Sequence, residues 1–455
     1  MYLLDELVLE YGLYLITAGL AGGALLQGAS NRAKGWCIAL MGIPLAAEIA
    51  YSDFFTPTLP TDLTAALSAL ALLGYLAFYP SQLSGIWKSP LMRLAFLYFA
   101  WMSVTTLSSV DFQVSAKFLI SQLAYFIAFG VGGFLWVRQP RSLSLEKLYS
   151  TFLLAPASLV LFLCTYQHLA LGGSKEMVEK AVYPFMREHT VYGTYAVWFF
   201  LACLSLWGLR PSIGGTVLLG LTGLAVFLSY SRGAWLSLLL TLGTWGLLYL
   251  LRRLSTFQRT LVVAGIVGAG VWLGLAALSE NPYALQFKAQ LQLGEAGRHL
   301  ASSFDLRQNL SNLERINRWD AALSMVAERP WYGFGPNTYV KEYSAYQRSL
   351  MRTPVSVEMG EVGGAHSEFL TAASEMGLPG LFLLAAIYFL TLRLGLGGIW
   401  RSSELRSQGH YALLTLPLLA YYLHGFINNF MDHGHIAGLV YLHWGLLAGY
   451  EARGA

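Results

Sequence analysis

The chain has 455 residues, 56% of them hydrophobic and 12% charged, with a formal net charge of +4 at pH 7. A soluble domain carries about twice that share of charge. The composition therefore excludes an ordinary soluble enzyme, and so small a positive excess gives no argument for nucleic acid.

The apolar residues fall in blocks of roughly 20, the length that crosses a hydrocarbon core. The short period-2 segments of a β-barrel are missing. The expected fold is all-α: a polytopic integral membrane protein of about 12–13 transmembrane helices with one long extracytoplasmic loop. Candidate spans are 9–27, 36–51, 63–79, 91–109, 117–137, 148–170, 191–209, 214–230, 233–251, 258–279, 366–392, 411–430 and 435–450. The first two are the weakest. The N-terminus, MYLLDELVLEYGLYLITAGLAGG, carries acidic residues where a signal peptide carries basic ones, and is read as a retained first helix. Four regions follow: N-terminal helices in 1–190, central helices in 191–279, a polar loop in 280–365 and C-terminal helices in 366–455. Cys37, Cys164 and Cys203 all lie in apolar blocks and offer neither a disulfide framework nor metal spacing.

Basic residues recur in alternate loops: Arg32 and Lys34, Lys88, Arg138 with Arg141 and Lys147, Arg210, Arg252 with Arg253 and Arg259, then Arg393, Arg401 and Arg406. The positive-inside rule makes that side the cytoplasm. The loop around 172–190, the turn at Arg232, the long polar segment and the DHGH turn then share the other side. No internal repeat supports an inverted-repeat transporter.

Candidate chemistry gathers on that second side. In SYSRGAW, Arg232 sits at the membrane boundary in a tight turn attributed to Gly233. It reads either as a snorkelling helix-end arginine or as an anion site. Within 313–339, LERINRWDAALSMVAERPWYGFGPNTY, Arg315, Trp319 and Ala322 fall at i, i+4 and i+7, with Leu323 and Val326 on the same side. This predicts an amphipathic helix of about 13 residues, ending at Pro330 and lying along the bilayer surface. Arg315 and Arg318 are three apart and are expected to point one way, as a solvated face or as a site. GFGP is a turn and not a phosphate loop.

His366 stands where the polar loop re-enters the membrane, followed by Ser367 and Glu368 in the first helical turn, where a carboxylate suits the helix dipole. As a cap it is ordinary; as a catalyst it accepts a proton near neutral pH. Glu375, deeper in the span, needs a partner or a polar cavity. In YYLHGFINNF, His424 and Asn428 are expected on one helix face, with Asn429 beside them, as site residues or as interhelical glue. Asp432, His433 and His435 make a metal conceivable, but further ligands with suitable spacing are missing. No DxD, GxSxG, HExxH or CxxC occurs.

Four segments in order, SYSRGAW, the R-x-x-x-W helix with RPWYGFGPNTY, HSEFL…EMGLPGL and HGFINNF, resemble the core of the O-antigen ligase and O-antigen polymerase superfamily, over roughly residues 185–450. The resemblance implies a metal-independent glycosyltransferase with no cofactor, in the bacterial cytoplasmic (inner) membrane with its active site on the periplasmic side. It implies an undecaprenyl-pyrophosphate-linked glycan as donor, and lipid A core or another glycan as acceptor. Arg232 and Arg315 then match the family's pyrophosphate-gripping arginines, and His366 its essential histidine. Arg187, in FMREHTVYGTYA, falls where relatives have a basic or His-rich stretch. Ser367 stands where relatives carry asparagine. Arg318, Trp319, Glu368, His424 and Asn428 complete the candidate substrate-binding set, alongside membrane lipids as partners. The rival reading is a solute transporter, which needs ionisable residues near the bilayer midplane; Glu48, Glu375 and His424 are the candidates.

Overall fold

A computed structural model describes residues 6–48, 58–139, 143–262, 264–265, 310–347 and 364–454. The protein is an all-α polytopic membrane protein. Among the described residues, seven helices are long and apolar enough to cross a membrane, and two shorter apolar helices, Gly12–Gly28 and Ile213–Leu228, accompany them.

The chain opens with α1 (Glu6–Ser30) and α2 (Arg32–Leu40), the second capped by the Asn31 side chain on the Lys34 N–H. The expected span 36–51 is not one continuous helix. After Leu40 the backbone turns through 41–45 and ends in a two-residue strand, β1 (Ala47–Glu48), paired antiparallel with β2 (Thr58–Leu59). Pro44 interrupts it, since proline cannot donate the helical hydrogen bond, and its carbonyl takes the Tyr195 hydroxyl at 2.8 Å instead.

Next come α3 (Thr61–Phe78), α4 (Ser81–Lys88) and α5 (Pro90–Leu107). Ser89 caps α5 and Pro90 occupies its first position, where a missing N–H costs nothing. Two long helices follow, α6 (Phe112–Arg138) and α7 (Leu145–Ala170). Then α8 (His189–Leu209), α9 (Ile213–Leu228) and α10 (Arg232–Arg253) complete the central group. The α8 helix is buried on nearly every side, as an all-apolar helix must be, whereas α10 turns Leu236, Leu239 and Leu250 outward. Most of the expected span 258–279 lies outside the described residues. Beyond it lie α11 (Leu310–Glu328), α12 (Glu368–Arg401), α13 (Leu405–His424) and α14 (Gly434–Gly454).

Hydrogen bonds sort the helix ends. Arg252 donates to the carbonyls of Ile399 at 3.3 Å and Ser402 at 2.7 Å, Arg406 pairs with Glu146 at 2.9 Å, Arg401 pairs with Glu451 at 3.4 Å, and Arg453 donates to Val137 O at 3.3 Å. The basic loops thus meet at one end, as the alternation of charges predicts. At the opposite end Glu48 N–H donates to Pro184 O, and Val110 N–H to Phe334 O, both at 2.9 Å.

The RPWYGFGP segment is docked, not merely turned. Phe334 and Gly335 donate N–H bonds to Ser374 and Glu375 carbonyls, at 3.0 and 2.8 Å, and Leu378 donates to Pro330 O at 2.8 Å. They fit because α12 breaks at Gly377, whose φ of 70° lies in the left-handed region and whose missing side chain leaves room for the Trp331 carbonyl. A kink frees carbonyls that need partners; Trp101 Nε1 donates to Met376 O at 2.9 Å. Glu375 finds the partner its depth demands: its carboxylate accepts N–H bonds from Asn337 at 2.8 Å and Tyr339 at 3.1 Å.

Candidate functional site

The turn into α10 is set by Tyr230 rather than Gly233. Tyr230 has φ 50°, and its hydroxyl holds Gly173 O at 2.8 Å. Ser231 then caps the helix on Ala234 N–H, leaving Arg232 as the first helical residue. Gly233 is needed for a different reason: a Cβ there would strike the His424 ring. The same squeeze recurs at Gly193, where a Cβ would lie 2.8 Å from Ser231 and 2.9 Å from Ala234. The first turn of α10 is thus wedged between α8 and the end of α13. His424 is buried in that wedge. Thr194 gives its hydroxyl proton to Thr190 O at 3.0 Å, so His424 Nδ1, 2.9 Å from that hydroxyl, is the donor.

The α11 helix runs for 19 residues, and its buried face differs from the expected one. Leu323 is exposed, while Glu314, Asn317, Arg318, Ala321, Ala322 and Met325 are buried. The helix packs over the re-entry into α12. Arg315 and Arg318 also diverge. Arg318 bonds Glu314 at 2.7 Å and Gly364 O at 3.1 Å and lies 4.8 Å over the Tyr343 ring, so its charge is compensated within the loop. Arg315 Nε instead donates to Ile427 O at 3.3 Å. Burial first, and the Arg232 guanidinium second, hold Arg315 below the usual arginine range. Ile427 also lies against Gly233 in the first turn of α10, so Arg315 and the helix that begins with Arg232 come from distant segments to one neighbourhood.

His366 has φ 50°, a strained value for a residue with a side chain. Three contacts hold it: its N–H donates to Asn429 Oδ1 at 3.1 Å, its carbonyl accepts from Trp319 Nε1 at 3.2 Å, and Nδ1 meets Asn428 Oδ1 at 2.9 Å. An amide oxygen only accepts, so Nδ1 carries the proton and Nε2 keeps its lone pair. Burial first, then the nearby Arg318 and Arg315 charges, hold the imidazole pKa down at about 4 against the pull of Asn428. The ring is neutral at pH 7. Ser367, not His366, caps α12, accepting from Leu370 N–H at 3.4 Å.

The helical pairing of His424 with Asn428 does not occur. The α13 helix ends at His424, and Asn428 lies in the turn beyond, where it meets His366. Glu368 organises that turn. Its buried carboxylate accepts from Tyr421 Oη at 2.8 Å, Phe430 N–H at 2.6 Å and Met431 N–H at 3.2 Å, so it faces inward rather than toward an open cavity. Arg187 is 42% exposed and pairs with Glu48 at 3.5 Å. The other Glu48 oxygen is 2.6 Å from His433 Nδ1. His433 therefore serves an ion pair across 385 residues, and among the described residues no group of three or more His, Cys, Asp or Glu could hold a metal ion. Sequence spacing gave no signal for that pair.

A family model described as O-antigen ligase matches residues 217–385. Over that stretch, about a third of its length, the chain is similar to the O-antigen ligase family. No curated protein matches the chain. The O-antigen ligase match contains Arg232, Arg315, Arg318, Trp319, His366 and Glu368. It ends before His424 and Asn428 and begins after Arg187; Asn428 meets His366 and His424 packs on the first turn of α10, whereas Arg187 pairs with Glu48 instead.

Proposed function

We propose that the protein transfers a glycan from undecaprenyl pyrophosphate to an acceptor sugar at the membrane end opposite the basic loops, the periplasmic side of the inner membrane. What supports this reading is the turn after α13, where Ile427 accepts from Arg315 and lies against the first turn of α10, which begins with Arg232, while the next residue, Asn428, meets His366. When the acceptor hydroxyl attacks the anomeric carbon, a carbon–oxygen bond forms and the bond to pyrophosphate breaks. Negative charge grows on the leaving pyrophosphate, and the two guanidiniums stabilise it where it develops. His366 Nε2 accepts the hydroxyl proton. Undecaprenyl pyrophosphate leaves.

The acceptor we favour is the lipid A core, which makes the enzyme an O-antigen ligase; a polymerase would use a second lipid-linked glycan. A transporter is less well supported, because its three midplane candidates are all committed elsewhere: Glu48 to His433, Glu375 to backbone N–H groups and His424 to Thr194.

The test is transfer by the purified protein in nanodiscs, without divalent metal, from undecaprenyl-pyrophosphate-linked glycan. Product on a lipid A core acceptor supports the ligase. A ladder from donor alone makes it a polymerase. No release of undecaprenyl pyrophosphate with either acceptor, from folded protein, would reject both.

A further inference from the structure

At the basic end, α1, α2, α3 and the last turns of α6 line a cavity of about 690 Å³ that includes neither Arg232 nor His366. Its walls include Ala21, Ala24, Leu67, Leu72, Leu135 and Trp136, and its polar lining includes Asn31, Arg32 and Gln139. Among the described residues no carboxylate lines it.

The walls are held open by packing. Gly35 lets α2 press against the α1 backbone, since a Cβ there would lie 2.6 Å from the Gly28 Cα. Trp36 props the far side: its Nε1 donates to Ala128 O at 2.7 Å, and its ring lies 5.9 Å from that of Trp136. At the polar rim Arg32 is exposed, with its guanidinium 4.8 Å from the Tyr75 ring and 5.5 Å from that of Tyr79. Among the described residues no ion pair holds it.

We propose that this cavity binds an anionic glycerophospholipid of the basic-loop leaflet, an acyl chain between α1, α2 and α3 and its phosphate on Arg32. The volume falls within the range of about 300–1,000 Å³ usual for small-molecule sites. Apolar walls under a cationic rim match a chain under an anionic headgroup. Basic pockets between transmembrane helices on the side of the basic loops bind anionic lipid headgroups, and a rim without a carboxylate selects them over zwitterionic ones. The aromatic pair fixes the arginine without neutralising it.

The test is native mass spectrometry of the full chain in detergent, titrated with phosphatidylglycerol or phosphatidylcholine. Phosphatidylglycerol is expected to stay bound at one molecule per chain and phosphatidylcholine to leave. Arg32→Ala is expected to weaken retention about fivefold, the effect of one basic residue near a lipid surface, and Arg32→Lys to keep most of it. Ala71 lines the cavity and is exposed, so Ala71→Trp is expected to displace the lipid while the protein stays monodisperse. Equal retention of the two lipids overturns the proposal. So does phosphatidylglycerol binding that neither Arg32→Ala nor Ala71→Trp changes, or a preference for polyprenyl phosphate over phosphatidylglycerol.

Discussion

The Nδ1 atom of His366 lies 2.9 Å from Asn428 Oδ1, across 62 residues of sequence. This bond selects the tautomer that leaves Nε2 basic. His366→Ala is expected to lower kcat by about 10²–10⁴, the usual contribution of a general base, while the protein still inserts and accumulates. Full transfer activity in that variant would remove His366 from the mechanism.

The same bond makes a pH prediction. The folded His366 pKa is lowered to about 4, so the base is competent above that value and transfer falls as pH drops through it. Asn428→Asp places a carboxylate against Nδ1 and is expected to move this acidic limb upward, toward the ordinary histidine value of about 6.5. A kcat–pH profile of the two proteins reads the shift directly; superimposed acidic limbs would mean that another group titrates there.

Arg232 and Arg315 are expected to act on one leaving group. Replacing either by alanine should cost about 3 kcal/mol of transition-state stabilisation, and lysine should restore little, because a guanidinium binds phosphate oxygens bidentately. Single and double variants compared by kcat should be strongly non-additive. Additive losses would indicate two separate roles.

Arg318 is expected to behave oppositely. Its charge is buried against Glu314 at 2.7 Å, and removing one member of a buried pair costs about 3–5 kcal/mol. Arg318→Ala should therefore lower the melting temperature clearly in detergent, whereas Arg315→Ala should leave it near that of the parent. Equal melting curves for Arg318→Ala and the parent would contradict an internal role.

The Glu48–His433 pair links the segment after α2 to the start of α14. Burial pulls the His433 imidazole down, but Asp432 and Glu48 outweigh it and hold it up at about 10. For Glu48, burial raises the carboxylate, and His433 and Arg187 overcome this and bring it down to about 2. The unfolded values are about 6.5 and 4.3. The histidine's contribution is thus complete below about pH 6.5 and lost as pH rises toward 10. The carboxylate's is present above about pH 4.3 and lost as pH falls toward 2. Thermal melts of Glu48→Gln between pH 7 and 10 are expected to show a flatter decline than the parent.

Membrane character, the all-α polytopic fold and the sorting of basic loops were legible in the sequence, because apolar length and loop charge are local properties that the bilayer itself reads. Arg232, Arg315 and His366 were nominated by the resemblance of their motifs, each with an ordinary structural reading beside it. Which of them meet was not legible. Helical periodicity put Arg318 beside Arg315 and Asn428 beside His424, yet Arg318 turns to Glu314, and Asn428 leaves the helix to meet His366. Periodicity describes a face of one helix. It carries no information on where a neighbour's backbone breaks, and here the breaks after Leu40, at Gly377 and after His424 decide which side chains face one another. Only the tertiary structure sets those contacts, because a buried charge or a freed carbonyl must find its partner wherever packing brings one.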